Sequence, residues 1–242
     1  MKVLYINHVG IIAGSSKSLY ELLVTLPKKE VQSYVITPIG TFSEELKKQN
    51  IPVINTFGIA QFCNTQYGFY RGLRWLILIR ELLLFISGIY TFLKVRLVWG
   101  RFDIIHLNEI TLCPNIFILK LIFKNAKLVS SVRSIQREKR NYISKILDKI
   151  YNYAFKILFP IDKNVEKSLS KKLKKEIIHN SLNPKKTKIK PVNKNNFTVG
   201  MVGLLNKSKG CSVFIEAAHM SKKRGYNIKF ILFGDIIQKN IF

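Results

Sequence analysis

The chain has 242 residues, 48% of them hydrophobic, enough to bury a substantial core as one large domain or as one domain plus part of another. Forty lysines and arginines against 14 acids give a formal charge of +26, a positive field that attracts nucleic acid, anionic lipid or phosphate-bearing substrates without choosing among them. Cys63, Cys113 and Cys211 are odd in number and widely separated, with no C-x-x-C pair or nearby His, which excludes a disulfide framework or cysteine metal site and fits a reduced, cytoplasmic compartment.

Along the chain, short apolar runs alternate with longer helical patterns, the signature of a parallel sheet covered by helices on both faces. Lys2 to Asn7 reads as a first buried strand rather than a secretory signal, Gly10 to Ser16 as a small-residue turn, and Lys17 to Leu26 as a helix with Leu19, Leu22, Leu23 and Leu26 on one face. Gln32 to Thr37 and Ile51 to Thr56 read as strands around a short helix from Ser43 to Gln49, and Pro52 places the second of them near an edge or at its own start. Leu73 to Trp99 is a long apolar segment interrupted by Arg74, Arg80, Glu81, Lys94 and Arg96. Its uninterrupted run falls short of the ~20 residues of a membrane span, so a buried helix or one lying in a membrane interface is expected.

Asp103 to Leu107 then reads as a buried strand, Cys113 to Phe123 as a helix, Lys127 to Val132 as a strand and Tyr142 to Ile157 as a helix. Ile161 to Val165 reads as a turn into a short helix, and Glu176 to His179 as a last short strand. Pro184 to Asn196, with two prolines, many lysines and no apolar period, is a linker; its lysine excess reflects compositional drift as readily as selection, so specific nucleic-acid binding is disfavoured. Phe197 to Gly203, Cys211 to Lys223 and Ile228 to Phe233 start a second strand, helix and strand. The expected organisation is an N-terminal domain over 1–182, a linker over 183–196 and the first elements of a C-terminal domain over 197–242.

The order of several short motifs resembles the family-4 glycosyltransferases of GT-B fold across nearly the whole chain. Gly14-Ser15-Ser16 follows the first strand; Asp103-Ile104-Ile105-His106-Leu107-Asn108 is similar to the family's D-x-x-H-x-[HN]; Ser131-Val132-Arg133-Ser134 is similar to its H-V-R-E segment. Ile178-His179-Asn180-Ser181-Leu182 is similar to its interdomain turn, and Val199 to Gly203, Lys209-Gly210 and Phe214-Ile215-Glu216-Ala217-Ala218 to the opening of its C-terminal domain. The resemblance implies an α/β, GT-B-like fold: a doubly wound, Rossmann-like N-terminal domain followed by the first elements of a second Rossmann-like domain. It further implies a retaining transfer of a hexose from a nucleoside diphosphate sugar to a lipid-linked or polysaccharide acceptor, on the cytoplasmic membrane face, with neither metal nor resident cofactor.

In a doubly wound sheet ligands bind outside the carboxyl ends of the strands, where Gly14, Ser15, Ser16, Asn108, Glu109 and Arg133 are expected, on the acceptor side of a cleft. Gly14 lets a backbone approach a ligand or simply makes a tight turn. Arg133 contacts a phosphate or acceptor, or else pairs with Glu109 or Glu138; His106, among apolar neighbours, reads as a packed strand residue more than as a base. Lys209 and Gly210, at the start of the Cys211 helix, are expected to hold the donor diphosphate as leaving group, with a solvated surface lysine as the alternative.

Two departures bear on catalysis. Where the family has an arginine after the first C-domain strand this chain has Leu204, with Lys207 as a substitute that lacks the bidentate guanidinium, and the family's E-x7-E carboxylates would fall beyond Phe242. The chain is therefore expected to be a truncated relative that does not catalyse alone. A P-loop NTPase is excluded because Met201 and Asn206 stand where G-x-x-x-x-G-K-[ST] needs glycines. The remaining alternative is a nonenzymatic basic module on anionic membrane or nucleic acid, whose binding would weaken steeply with salt and ignore nucleotide sugars.

Overall fold

The computed structural model describes residues 1–66, 68, 76–137, 142–180, 197–203, 205 and 209–234. The chain forms two compact units, 1–184 and 185–242. In the first, the elements run β1 (Lys2–Ile6), α1 (Gly14–Thr25), β2 (Gln32–Pro38), α2 (Thr41–Lys48), β3 (Val53–Thr56), α3 (Ile77–Trp99) and β4 (Ile104–Leu107). A 3-10 turn (Ile110–Asn115) leads into α4 (Ile116–Ile122), followed by β5 (Lys127–Val132), α5 (Tyr142–Ala154), β6 (Phe155–Pro160) and α6 (Lys163–Ser168). The second unit holds β7 (Phe197–Val202), α7 (Cys211–Lys223) and β8 (Ile228–Phe233).

The first unit is a six-stranded parallel sheet in the order β3-β2-β1-β4-β5-β6. On one face Leu19 and Leu23 of α1 and Phe42 and Leu46 of α2 bury Val3, Tyr5 and Val35. On the other, Phe92 and Val95 of α3, Ile116 and Leu119 of α4, and Leu147 and Tyr151 of α5 cover Leu4, Ile6, Ile36, Ile105 and Leu107. Burial on both sides explains why the strands read as continuous apolar runs instead of alternating ones. Proline falls where the ladder tolerates it: Pro52 immediately precedes the edge strand β3.

The structure corrects four expectations. The helix begun at Tyr142 stops at Ala154, and Phe155–Pro160 is the sixth strand, entered without a connecting loop. Glu176 to His179 is no regular strand; it is an extended segment tied to the outer edge of β6 through Leu158 N to Lys174 O, Glu176 N to Leu158 O and Ile178 N to Pro160 O, each 3.0 Å. The helix expected from Cys113 is a 3-10 turn containing Pro114 and then α4 proper from Ile116. Gly14, placed by its sequence in a turn, instead opens α1, and Gly14, Ser15 and Ser16 form that helix's first residues. The expected linker, 183–196, lies outside the described residues.

The β1–α1 connection requires its glycine four residues earlier. A Cβ on Gly10 would strike the Ile39 carbonyl oxygen, and one on Gly40 the Gly10 carbonyl oxygen, so the loops leaving β1 and β2 press backbone to backbone. That contact is clamped by the Phe42 amide, which donates to Gly10 O at 2.9 Å.

In the second unit β7 and β8 pair in parallel, joined by α7. The same glycine device recurs: a Cβ on Gly234, after β8, would strike the carbonyl oxygen of Gly203, after β7.

Candidate functional site

The sheet order reverses between β1 and β4, since the chain leaves β1 toward β2 and leaves β4 toward β5. Such a switch point opens a crevice at the carboxyl ends of the two strands. Asn7 and Asn108, the residues immediately after β1 and β4, meet there: Asn108 Nδ2 donates to Asn7 Oδ1 at 2.8 Å, and also to Ser15 O at 3.3 Å. Both side chains are almost wholly buried, so these amides hold the switch point closed at its floor.

Arg133, immediately after β5, completes the cluster. Its Nε donates to Asn108 O at 3.0 Å, its Nη2 to Asn108 Oδ1 at 2.9 Å and its Nη1 to Asn180 Oδ1 at 2.8 Å. Asn180 Oδ1 also accepts from Ser18 Oγ of α1 at 2.8 Å. The guanidinium therefore rests on neutral oxygens. Glu109 takes only the backbone amides of Ile110 (3.0 Å) and Arg133 (3.3 Å), not the guanidinium, and Glu138 lies outside the described residues. Arg133 thus keeps a positive charge available to a ligand, in the wall of a cavity of about 230 Å³ bounded by Ser18, His106, Ser131, Phe159 and His179.

Burial favours the neutral forms of the ionisable groups around this charge. Burial lifts the Glu109 carboxyl to about 7, with the Arg133 and Ile110 amides and the Arg133 charge opposing the rise. Burial, reinforced by Arg133, lowers His106 to about 4. His106 is the packed strand residue its sequence suggests: Nε2 lies 2.8 Å from Ser131 Oγ and the ring centroid 5.4 Å from that of Tyr5. Burial also pushes the Arg133 guanidinium below its ordinary value, while Glu109 works the other way.

The α1 terminus is open. Ala13 offers no capping side chain, no acid lies in the first turn, and nothing approaches within 4 Å of a Cβ built on Gly14, which is exposed. Gly14 has no positive φ, so no left-handed turn requires it. Ser16 is structural: buried, its hydroxyl accepts from Ala13 N at 2.7 Å and donates to Ile11 O at 2.6 Å.

In the second unit Gly210 is the N-cap of α7 at φ 81°, a left-handed conformation that selects glycine, and Lys209 stands exposed just before it. Of the K-G pair, the backbone conformation accounts for the glycine. Lys207 and Leu204 lie outside the described residues.

Sequence reasoning missed Asn7, His8 and, as a site residue, Asn180. His8 follows Asn7, and its Nδ1 is buried without a hydrogen-bond partner among the described residues. Burial lowers its pKa to about 4, with Glu81 resisting and Arg133 assisting. The available signal was position: two polar residues directly after an apolar strand, at its carboxyl end.

No family model matches the sequence, and no curated protein matches it. Solved structures do. The chain superposes over 98% of its length on HepE from Anabaena, crystallised with UDP and glucose, at a TM-score of 0.67 and 18% identity. It superposes equally far on a glycosyltransferase from Rickettsia africae (0.66, 16%) and on MurG from Acinetobacter baumannii (0.53, 12%). It spans 62%, 61% and 68% of those three chains, respectively. Strand order, switch point and these superpositions together establish that the chain carries the GT-B fold of glycosyltransferases.

Proposed function

We propose that the chain handles a nucleoside diphosphate sugar for hexose transfer, with retention of configuration, to a lipid-linked or polysaccharide acceptor at the cytoplasmic membrane face. The observation that carries this reading is the Arg133 guanidinium, held by neutral oxygens at the switch-point crevice, with no carboxylate hydrogen-bonded to it among the described residues. A buried cation so placed attracts an anionic or hydroxyl-rich ligand. The open α1 amides beside Gly14 and Ser15, with Asn108 and Glu109 beneath, form the acceptor side, and the unpaired His8 Nδ1 supplies a further polar contact. Lys209, Gly210 and the α7 amides form a diphosphate cradle, with Lys207 as a further cation. Cationic side chains and helix dipoles can neutralise the diphosphate in place of a metal.

Saturation-transfer NMR on the full chain with UDP, GDP and their hexose conjugates tests the proposal. Saturable transfer is expected, weakened about tenfold by Lys209→Ala, as loss of a charge-assisted contact implies. Absence of transfer from every nucleotide would overturn the donor assignment.

A further inference from the structure

Helix α3 is built inside out. Its inward face carries Glu81, Gly88 and Thr91 beside Phe92 and Val95, and is held by polar bonds: Thr91 Oγ1 donates to Thr56 Oγ1 at 3.0 Å and Glu81 Oε2 accepts from Gln61 N at 2.7 Å. Its outward face carries Ile79, Leu82, Leu83, Ile86, Leu93 and Leu97 at helical spacing, with Tyr90 among them, all exposed and Leu97 85% so. Phe117 and Leu121 of the adjacent α4 are exposed as well. A solvated helix of an ordinary α/β domain shows the reverse distribution.

Basic groups flank this stripe. Lys94 and Arg80 emerge along the helix, Arg80 also holding Glu81 at 2.5 Å. At the carboxyl end of α3, a cavity of about 270 Å³ is lined by Arg96, Arg101 and Lys124, with Leu121 and no acidic residue in its wall. Among the described residues none of these three cations has an ion-pair partner.

The helix is long and apolar enough to cross a membrane, with 23 residues and a mean hydropathy of 1.6 over its best window. It does not stand free to do so, because Phe92 and Val95 are fully buried in the sheet core. A helix docked along one side, apolar on the other and edged with cations is shaped to lie in the headgroup boundary.

We propose that the outer face of α3, with Phe117 and Leu121, docks on an anionic phospholipid bilayer, and that the Arg96, Arg101 and Lys124 cavity takes a lipid phosphate. Charge complementarity selects this occupant over a second copy of the chain, since a net charge of +26 opposes self-association and favours an anionic surface. The amino end of α3 lies toward the candidate site: Glu81 binds the Gln61 amide, and Gln61 Oε1 accepts from Thr111 Oγ1 at 3.3 Å, two residues beyond Glu109. The docking does not depend on the transfer reading.

Flotation of the full chain with vesicles of phosphatidylcholine and phosphatidylglycerol in equal parts, against pure phosphatidylcholine, tests it. The chain is expected to float with the mixed vesicles. Ile86→Glu with Leu93→Glu, at exposed positions, should keep the native circular dichroism and lower partitioning about a hundredfold. Arg101→Glu with Lys124→Glu should lower it at least about tenfold on the mixed vesicles only. The proposal falls if the chain floats with neither vesicle, if the two apolar-to-acid changes leave flotation intact, or if light scattering shows a dimer that those same changes dissociate.

Discussion

The two units begin alike, as strand, helix and parallel strand with glycines pressed together at the strand exits, yet they end differently. In the first, Gly10 and Gly40 sit over a sheet closed by helices on both faces, with Phe42 and Phe92 wholly buried. In the second, Gly203 and Gly234 make the equivalent contact, but none of the described residues is buried, and Phe197, Val202 and Phe233 are exposed. A parallel ladder draws its stability from burial of both faces, and among the described residues the same local motif is covered in one unit and open in the other. Local geometry, such as the left-handed Gly210, follows from the motif; stability follows from what covers it.

Core truncation should separate the units most strongly. Phe92→Ala is expected to cost about 3–5 kcal/mol in chemical denaturation, whereas Phe214→Ala, which removes one edge-on contact with Phe230 at 5.5 Å, should cost under about 1.5 kcal/mol. Equal costs would mean that the second unit is as well packed as the first.

The pH dependence of the first unit comes next. Because the folded Glu109 carboxyl stands near 7, above its ordinary 4.5, the folded state holds the extra proton between those values. Its contribution to stability is complete below about 4.5 and is lost as pH rises through 7. His8 and His106, lowered to about 4, act oppositely: they cost stability as pH falls from about 6.5 to 4. Glu109→Gln keeps an oxygen for the Ile110 and Arg133 amides and should remove the loss at rising pH, gaining on the order of 2–3 kcal/mol at pH 8 over the parent protein. Parallel denaturation curves at pH 5 and 8 for parent and variant check this, and an unchanged pH slope would refute it.

The smallest effects sharpen the glycine comparison. Gly210→Ala forces a side chain into the left-handed region and should cost about 1–2 kcal/mol, confined to hydrogen exchange in α7. Gly14→Ala, in open space at an ordinary helical position, should change stability by under about 0.5 kcal/mol while weakening ligand binding at the α1 terminus. A large stability loss there would mark Gly14 as a folding residue.

Much of this was written in the sequence. Five of the six strands of the first unit are visible as short apolar runs, because a sheet buried on both faces must be apolar on both. Phe155–Pro160 was hidden for the same reason: the apolar positions Leu147, Tyr151 and Ala154 of α5 run without a break into Phe155 and Leu158, so periodicity alone does not mark where helix becomes strand. The site was legible where polar residues end strands, as at Asn108 and Arg133. It was illegible where partners come from distant loops: Asn7 and Asn180 join Asn108 and Arg133 only through the strand order. The exposed face of α3 could not be read from an almost uniformly apolar segment, since composition does not say which side meets the sheet.

A built site for a nucleotide sugar, as proposed, differs from attraction by charge alone in its response to salt. The most direct test is competition on the full chain between UDP-glucose and a heparin fragment, at low and at raised salt, followed by saturation-transfer NMR. A built site gives UDP-glucose binding that survives added salt and is weakened by Lys209→Ala. Binding that salt abolishes and that heparin replaces without preference would contradict it, and would leave the chain a basic surface module on a GT-B scaffold.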